Sequence, residues 1–306
     1  LRPPTRADLD AVSRALPTLV VPQSGHLASA NSRALELAGV TAETADPVGG
    51  VIRRKPGGRE PEGVLEETAL IQYGLKVLAG LGVSGIRAFA KAGAELWARY
   101  GYTTAQEGRA TPQIAETLKA VAEAGGFKND IAVFVDVIAD RDYTLANLSP
   151  AYRNRLRVAG GKLSSDGSPQ GFTAYRDRPY YAPVGDYPPG YRGYLTAKED
   201  LLIELVDWSF ANKVPLLNHC NGEGASDVYI AALRAATAKH GRAQRPQVLI
   251  HGQFLREDQV DAYQELGVIP SLFPMHTFYW GDWHRDHVVG PVAADDISPT
   301  GWVRQR

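Results

Sequence analysis

The sequence predicts an α/β fold: a TIM-like (β/α) barrel carrying about six of its eight strands, with a small accessory α+β subdomain at the N-terminus. Three observations carry this. Short apolar strand patterns alternate with amphipathic helical patterns over most of the 306 residues, the signature of a parallel sheet with crossover helices. From Tyr102 onward the strand patterns number six, two short of a closed barrel. Residues 1–65 read differently, as short elements punctuated by Pro and Gly, so the division expected is an accessory subdomain or insertion over 1–65 and a partial barrel catalytic domain over 66–306.

In chain order, Asn31 to Gly39 carries a helix signature, and Gly49 to Gly58 reads as strand and hairpin. A helical pattern places Ile86, Phe89, Ala90, Gly93, Leu96 and Trp97 on one face, and a strand follows at 102–106. Thr111-Pro112 supplies an N-cap and a proline at the first helical position, opening a helix that stops at Gly125-Gly126. Residues 131–138 and 155–163 are apolar strands, the second ending on Lys162 and Leu163. The connection from Ser164 through a Tyr/Pro-rich stretch to Tyr194 is long enough to expect a functional loop. Thr196-Ala-Lys-Glu199 has capping-box spacing and starts a helix bearing Leu201, Leu202, Leu205 and Val206. Strand 214–219, helix 225–239, strand 247–251, helix 256–265 and strand 267–272 complete the series.

A net charge of −1 offers no basic surface for nucleic acid or an anionic membrane. No apolar run is long enough to span a bilayer, and no signal-peptide pattern opens the chain. With Cys220 as the only cysteine no intrachain disulfide can form, which suits a cytoplasmic location and leaves a periplasmic or secreted one open. The chain begins at Leu1 and has its single methionine at 275, as expected for the central portion of a longer protein.

The chemistry gathers at strand ends, where parallel barrels place their sites. Lys162, His219 and His251 each lie at the end of a consecutive strand, and imidazoles from adjacent strands suit zinc or a similar divalent ion. A lysine ammonium cannot be a ligand unless it is deprotonated or carboxylated. The competing readings are two buried histidines satisfied by neighbouring backbone and an anion-binding or ion-pairing lysine. A second cluster, Met275-His-Thr-Phe-Tyr-Trp-Gly-Asp282, offers an imidazole, an aromatic wall and a carboxylate on one loop, as a substrate pocket or as a plug of the barrel end. Asp166-Gly-Ser reads as an Asx-type turn beyond the Lys162 strand, and His26 as a structural histidine. His240 fits a helix C-terminus, whereas His284 and His287, among Arg285 and Asp286, are expected in solvent.

Together these stretches resemble the amidohydrolase superfamily of metal-dependent hydrolases, specifically its amidohydrolase-3 group. The resemblance runs over essentially the whole chain. It is carried by Ser24-Gly-His-Leu-Ala-Ser-Ala-Asn-Ser-Arg-Ala-Leu, Glu62-Gly-Val-Leu-Glu-Glu-Thr-Ala, Gly101-Tyr-Thr-Thr-Ala-Gln-Glu-Gly, Lys162 through Asp166-Gly-Ser-Pro-Gln-Gly, Asn218-His-Cys-Asn-Gly-Glu and His276-Thr-Phe-Tyr-Trp-Gly-Asp. It implies a distorted TIM barrel with a β-rich accessory region, and hydrolysis of small-molecule amides or related C–N bonds by metal-activated water. His219 then matches the fifth-strand metal histidine and His251 the sixth-strand one. Lys162 matches the fourth-strand lysine that is carboxylated in some relatives. One or two divalent ions, zinc first, are the implied cofactor. His276 and Asp282 become the catalytic candidates, and His26, Asp166, Tyr279 and Trp280 the substrate-binding ones. Tyr175, Tyr180 and Tyr181 would extend an aromatic wall suited to an aryl or apolar substituent.

Two departures from the family pattern matter. No His-x-His occurs anywhere, and the chain stops before the strand that carries the family's proton-shuttling Asp. A catalytic zinc usually has three protein ligands, so activity in this chain is expected to be impaired and the metal itself can be absent. Open edge strands would accept a second copy or a complementing chain. Two other classes stay open: a catalytically silent homologue that binds ligand, and a metal-free glycosidase using Asp136, Asp166 and Glu107 as its acids.

Overall fold

A computed structural model describes residues 3–22 and 24–306. Among the described residues ten strands form two sheets. The first is antiparallel, built from β1 (Leu19–Val20), β2 (Leu27–Ala30), β3 (Gly50–Arg54) and β4 (Pro61–Glu67) in the order β1-β2-β4-β3. The second is parallel, built from β5 (Thr104–Ala110), β6 (Asp130–Asp136), β7 (Leu156–Ser164), β8 (Leu216–Cys220), β9 (Gln247–His251) and β10 (Ile269–Leu272), each paired with its neighbour in sequence. Its strands curl into a half-barrel, as an incomplete TIM-like barrel requires.

Local signals set most boundaries. Asn31 caps the helix Ser32–Ala38 by accepting from Ala34 N at 2.8 Å, and Gly39 closes it at φ 73°. Thr111 accepts from Ile114 N ahead of the helix Pro112–Glu123, as the Thr-Pro pair predicts. Strand β6 stops two residues sooner than its apolar run because Asp136 Oδ1 accepts from Ile138 N and Ala139 N, capping the helix Val137–Asn147. The expected capping box at Thr196 does not form. The helix spans Glu199–Ala211 with Lys198 as an uncapped N-cap, and the Thr196 hydroxyl instead donates to Ser164 O, tying the long connection back to the end of β7.

The main core lies between the middle strands and their crossover helices, around Leu163, Leu202, Leu205, Leu216, Leu233 and Leu249. The middle strands approach closely: a Cβ on Gly160 would stand 2.4 Å from Pro215 O. The helix Gly82–Arg99 departs from expectation. Its predicted core face stays largely in solvent, with Phe89 80% exposed and only Ala94 buried, because β5 is an edge strand with no neighbour beyond it to pack that face.

Candidate active site

The candidate site begins with strand register. Asp136, Lys162 and Leu217 are lateral partners across β6, β7 and β8, and His219 follows Leu217 by two residues, so Lys162 and His219 share one face of the sheet. His251 pairs with Cys220 rather than with His219, which in a regular strand would send its ring to the opposite face. Its backbone is left-handed, at φ 74°, and the rings of His219 and His251 meet edge to face at 4.8 Å. A non-glycine residue held there marks stored strain at a candidate site.

Around this pair the polar groups are deeply buried. Asp166 is inaccessible, and its carboxyl accepts three backbone N–H groups: Tyr175 at 3.0 Å, Asn221 at 2.9 Å and Gly222 at 2.8 Å. Burial pushes its pKa up to about 8 against the pull of those three donors. It therefore folds the loop after β7 onto the loop after β8. His219 Nε2 lies 2.8 Å from Asn221 Nδ2 and 3.1 Å from Gly167 O, while Asn221 Nδ2 also donates to Gly167 O at 2.9 Å. Burial first, and then the repulsion a charged His219 would meet from the neighbouring rings of His26 and His251 and from Lys162, holds His219 well below the ordinary histidine range. Burial lowers Lys162 to about 7, aided by Arg109 and opposed by Asp136, which Arg109 Nε meets at 2.9 Å.

Beside these groups opens a cavity of about 610 Å³, lined by His26, His251, His276, Tyr279 and Trp280 among others. Five of the residues singled out from sequence thus share one cavity, while Lys162, Asp166 and His219 are buried near it. Asp282 is not brought there: its side chain is 88% exposed and pairs with Arg285 at 2.9 Å. The segment expected to be a loop is a helix, Met275–Trp283, so His276 and Trp280 fall one turn apart on the cavity side while Asp282 turns outward. His284, expected in solvent, is fully buried. It stacks on His276 with Nδ1 of the latter 3.3 Å from its Nε2. Tyr175, Tyr180 and Tyr181 do not line the cavity; Tyr180 packs against Phe172 and Tyr181 is exposed.

Sequence reasoning missed three supports. Glu67, buried at the end of β4, accepts from His26 and Thr173. Arg176 and Glu223 form a buried ion pair at 2.8 Å that fastens the long connection to the helix Glu223–His240. Asn221 holds His219. Only Glu66-Glu67 carried a visible signal, two adjacent carboxylates closing the Gly63-Val-Leu65 run.

The donors for a metal are incomplete. Among the described residues no group of three or more His, Cys, Asp or Glu is placed to hold a metal ion. His219 and His251 supply two imidazoles, and His251 Nδ1 is buried without a hydrogen-bond partner. Two imidazoles are short of a catalytic shell.

Comparison with known proteins shows the family. The model of the amidohydrolase family matches residues 1–306, and the chain belongs to that family. It is 27% identical over 279 residues to the putative amidohydrolase YtcJ of Bacillus subtilis (strain 168), covering 88% of this chain and 50% of that protein. A shorter stretch of 68 residues is 44% identical to the N-substituted formamide deformylase of Arthrobacter pascens, 22% of this chain and 12% of that protein. The crystal structure of an uncharacterized metal-dependent hydrolase from Pyrococcus horikoshii OT3 superposes with a TM-score of 0.71 at 21% identity, over 99% of this chain and 57% of that one, and shows the shared fold. The chain thus spans about half the length of YtcJ and of that hydrolase, and less of the deformylase. Among the described residues no helix is long and apolar enough to cross a membrane.

Proposed function

We propose that this chain is the central portion of a hydrolase for small-molecule amides or related C–N bonds, binding its substrate in the cavity between His26, His251 and the His276–Trp280 turn. The observation that carries the reading is the meeting of His219 and His251 at the strand ends beside that cavity, in a member of the amidohydrolase family. Zinc is the favoured ion, with His219 and His251 as two of its ligands and Lys162 beside them. A bound divalent metal would supply an activated water and polarise the scissile carbonyl. The family's first-strand His-x-His and eighth-strand Asp have no counterpart among the described residues, and the isolated chain is expected to be impaired. His276 stands over the cavity as the candidate proton-handling group. Asp282, in solvent, has no support from the geometry for that role.

Trp280 and Tyr279 favour an aryl or apolar N-substituent, and the likeness to the N-substituted formamide deformylase of Arthrobacter pascens makes N-substituted formamides a first class to assay. Residues 1–65 fit an accessory subdomain whose antiparallel sheet is carried on to Glu67 by β4. A second reading, a silent homologue whose open sheet edges take a complementing chain, is favoured by the missing third ligand.

Metal analysis of the purified chain after zinc loading, with and without H219A and H251A, tests the assignment. Zinc bound by the wild type and lost from both variants is the expected result. Stoichiometric zinc that survives the double substitution would overturn it, and an apo wild type with no amide turnover would leave the silent reading standing.

A further inference from the structure

Glu67 occupies an unusual place for a carboxylate. It is buried at the end of β4, with a left-handed backbone at φ 49°, and its backbone N donates to His26 O at 2.8 Å. Its two oxygens are shared between two partners. Thr173 Oγ1 reaches Oε1 at 2.6 Å, and His26 Nδ1 lies 2.8 Å from Oε2 and 3.1 Å from Oε1. The Thr173 hydroxyl has a fixed sense. Its oxygen accepts from Ser168 N at 2.8 Å, and its one proton goes to the nearer of two acceptors, Glu67 Oε1 at 2.6 Å rather than Ser168 O at 3.3 Å. Gly167 seals the arrangement: a Cβ there would stand 2.1 Å from Glu67 Oε1 and 2.2 Å from Thr173 Oγ1.

A carboxylate is an acceptor only, so the His26 nitrogen facing it must carry the proton. With the proton on Nδ1 a neutral ring has its lone pair on Nε2, and His26 is among the residues that line the cavity. We propose that Glu67 is a positioning residue that fixes the tautomer of His26, and that His26 Nε2 accepts a hydrogen bond from an N–H of the molecule bound in the cavity. The group recognised is therefore a secondary amide or another donor-bearing nitrogen, in preference to an ester of the same shape. The second half of this inference rests on the cavity being the substrate site proposed above; the first half does not.

The Thr173 hydroxyl makes the idea sharp. In Glu67→Gln, with the Thr173 proton kept on its nearer acceptor, the amide oxygen takes that proton and the amide NH2 turns to His26 Nδ1 and donates to it. His26 would then carry its proton on Nε2, and the cavity would face a donor where it had an acceptor. Histidine-selective nitrogen-15 NMR at fixed pH, assigned with His26→Gln, reads this directly. The expected result is a protonated Nδ1 in the wild type and in Thr173→Val, and a protonated Nε2 in Glu67→Gln. A wild type with the proton on Nε2 overturns the proposal without any variant, so it stays testable if Glu67→Gln does not fold. A folded Glu67→Gln that keeps the wild-type tautomer overturns it as well.

N-benzylacetamide and benzyl acetate, which differ by N–H against O, test recognition by NMR titration. The wild type should bind the amide roughly 3- to 10-fold more tightly, the span of one net hydrogen bond, and Glu67→Gln should lose or reverse that preference. Equal binding by the wild type overturns the recognition role. Failure of the hydrolase reading would show differently, as an intact tautomer and amide preference with no turnover.

Discussion

Strand β8 is buried at every residue and β7 at all but one, whereas the helix Gly82–Arg99 beside the β5 edge buries a single alanine and leaves Phe89 and Trp97 in solvent. Both regions carry ordinary apolar patterning. The difference is in what covers it. In the middle of the sheet, strands on both sides and helices behind enclose the apolar residues, and the polar groups trapped with them are forced into partnerships such as Asp166 with three backbone donors. At the edge the same kind of face has no neighbour, so neither the packing nor the polar network develops. An apolar face in sequence specifies a surface that prefers cover; it does not supply the cover.

The largest test of this contrast compares two carboxylates. Asp166→Ala leaves three buried N–H groups without an acceptor and should cost about 3–5 kcal/mol of unfolding free energy, or prevent folding. Asp282→Ala, at an exposed ion pair, should leave the urea midpoint unchanged. A mild Asp166→Ala would show that the centre relaxes far more readily than its burial implies.

Apolar truncations give the next effect. Leu163→Ala, in the fully enclosed core, should cost about 2–5 kcal/mol, while Phe89→Ser should stay within about 0.5 kcal/mol. Equal costs in urea unfolding would mean that the edge helix is covered in solution.

At neutral pH the smallest effect is that of a buried histidine, and it separates the regions only as the pH falls. Burial holds His284 neutral, with its pKa down at about 3, helped by repulsion from His276 and Arg176. The unfolded ring binds its proton near the ordinary value of about 6.5, so between those values the unfolded state holds more protons. The contribution of this ring is therefore complete above about pH 6.5 and is lost as the pH falls toward 3. His284→Leu should flatten the fall in Tm between about pH 6.5 and 4; an unchanged slope would place the acid sensitivity elsewhere.

Much of the half-barrel was legible because strand and helix periods are local properties: β9 matches its predicted bounds, and the Thr111-Pro112 and Asn31 caps behave as their side chains dictate. Errors came where a local signal had a competitor. Thr196 had capping-box spacing, but its hydroxyl found Ser164 O. His284 sat among charges in sequence, yet a helical turn carried it inward to stack on His276. Of the candidate site, His26, His251, His276, Tyr279 and Trp280 share a cavity, while Asp282 lies outside it. Thr173 and Asn221 gave no local signal, and Glu67 only that of the adjacent Glu66-Glu67 pair, because their importance is in partners distant in sequence.

By itself the sequence determined the alternation of elements, the strand ends on which Lys162, His219 and His251 fall, and the family to which the motifs belong. These follow from the side-chain period and from residue chemistry, which need only neighbours a few positions apart. Tertiary structure alone decided that His251 turns back to meet His219, that Glu67 reaches His26 across 41 residues of chain, and that the apolar face around Phe89 stays uncovered. Each depends on a strained backbone angle, a long-range hydrogen bond or the order of strands in a sheet, and none of these is written in a local pattern.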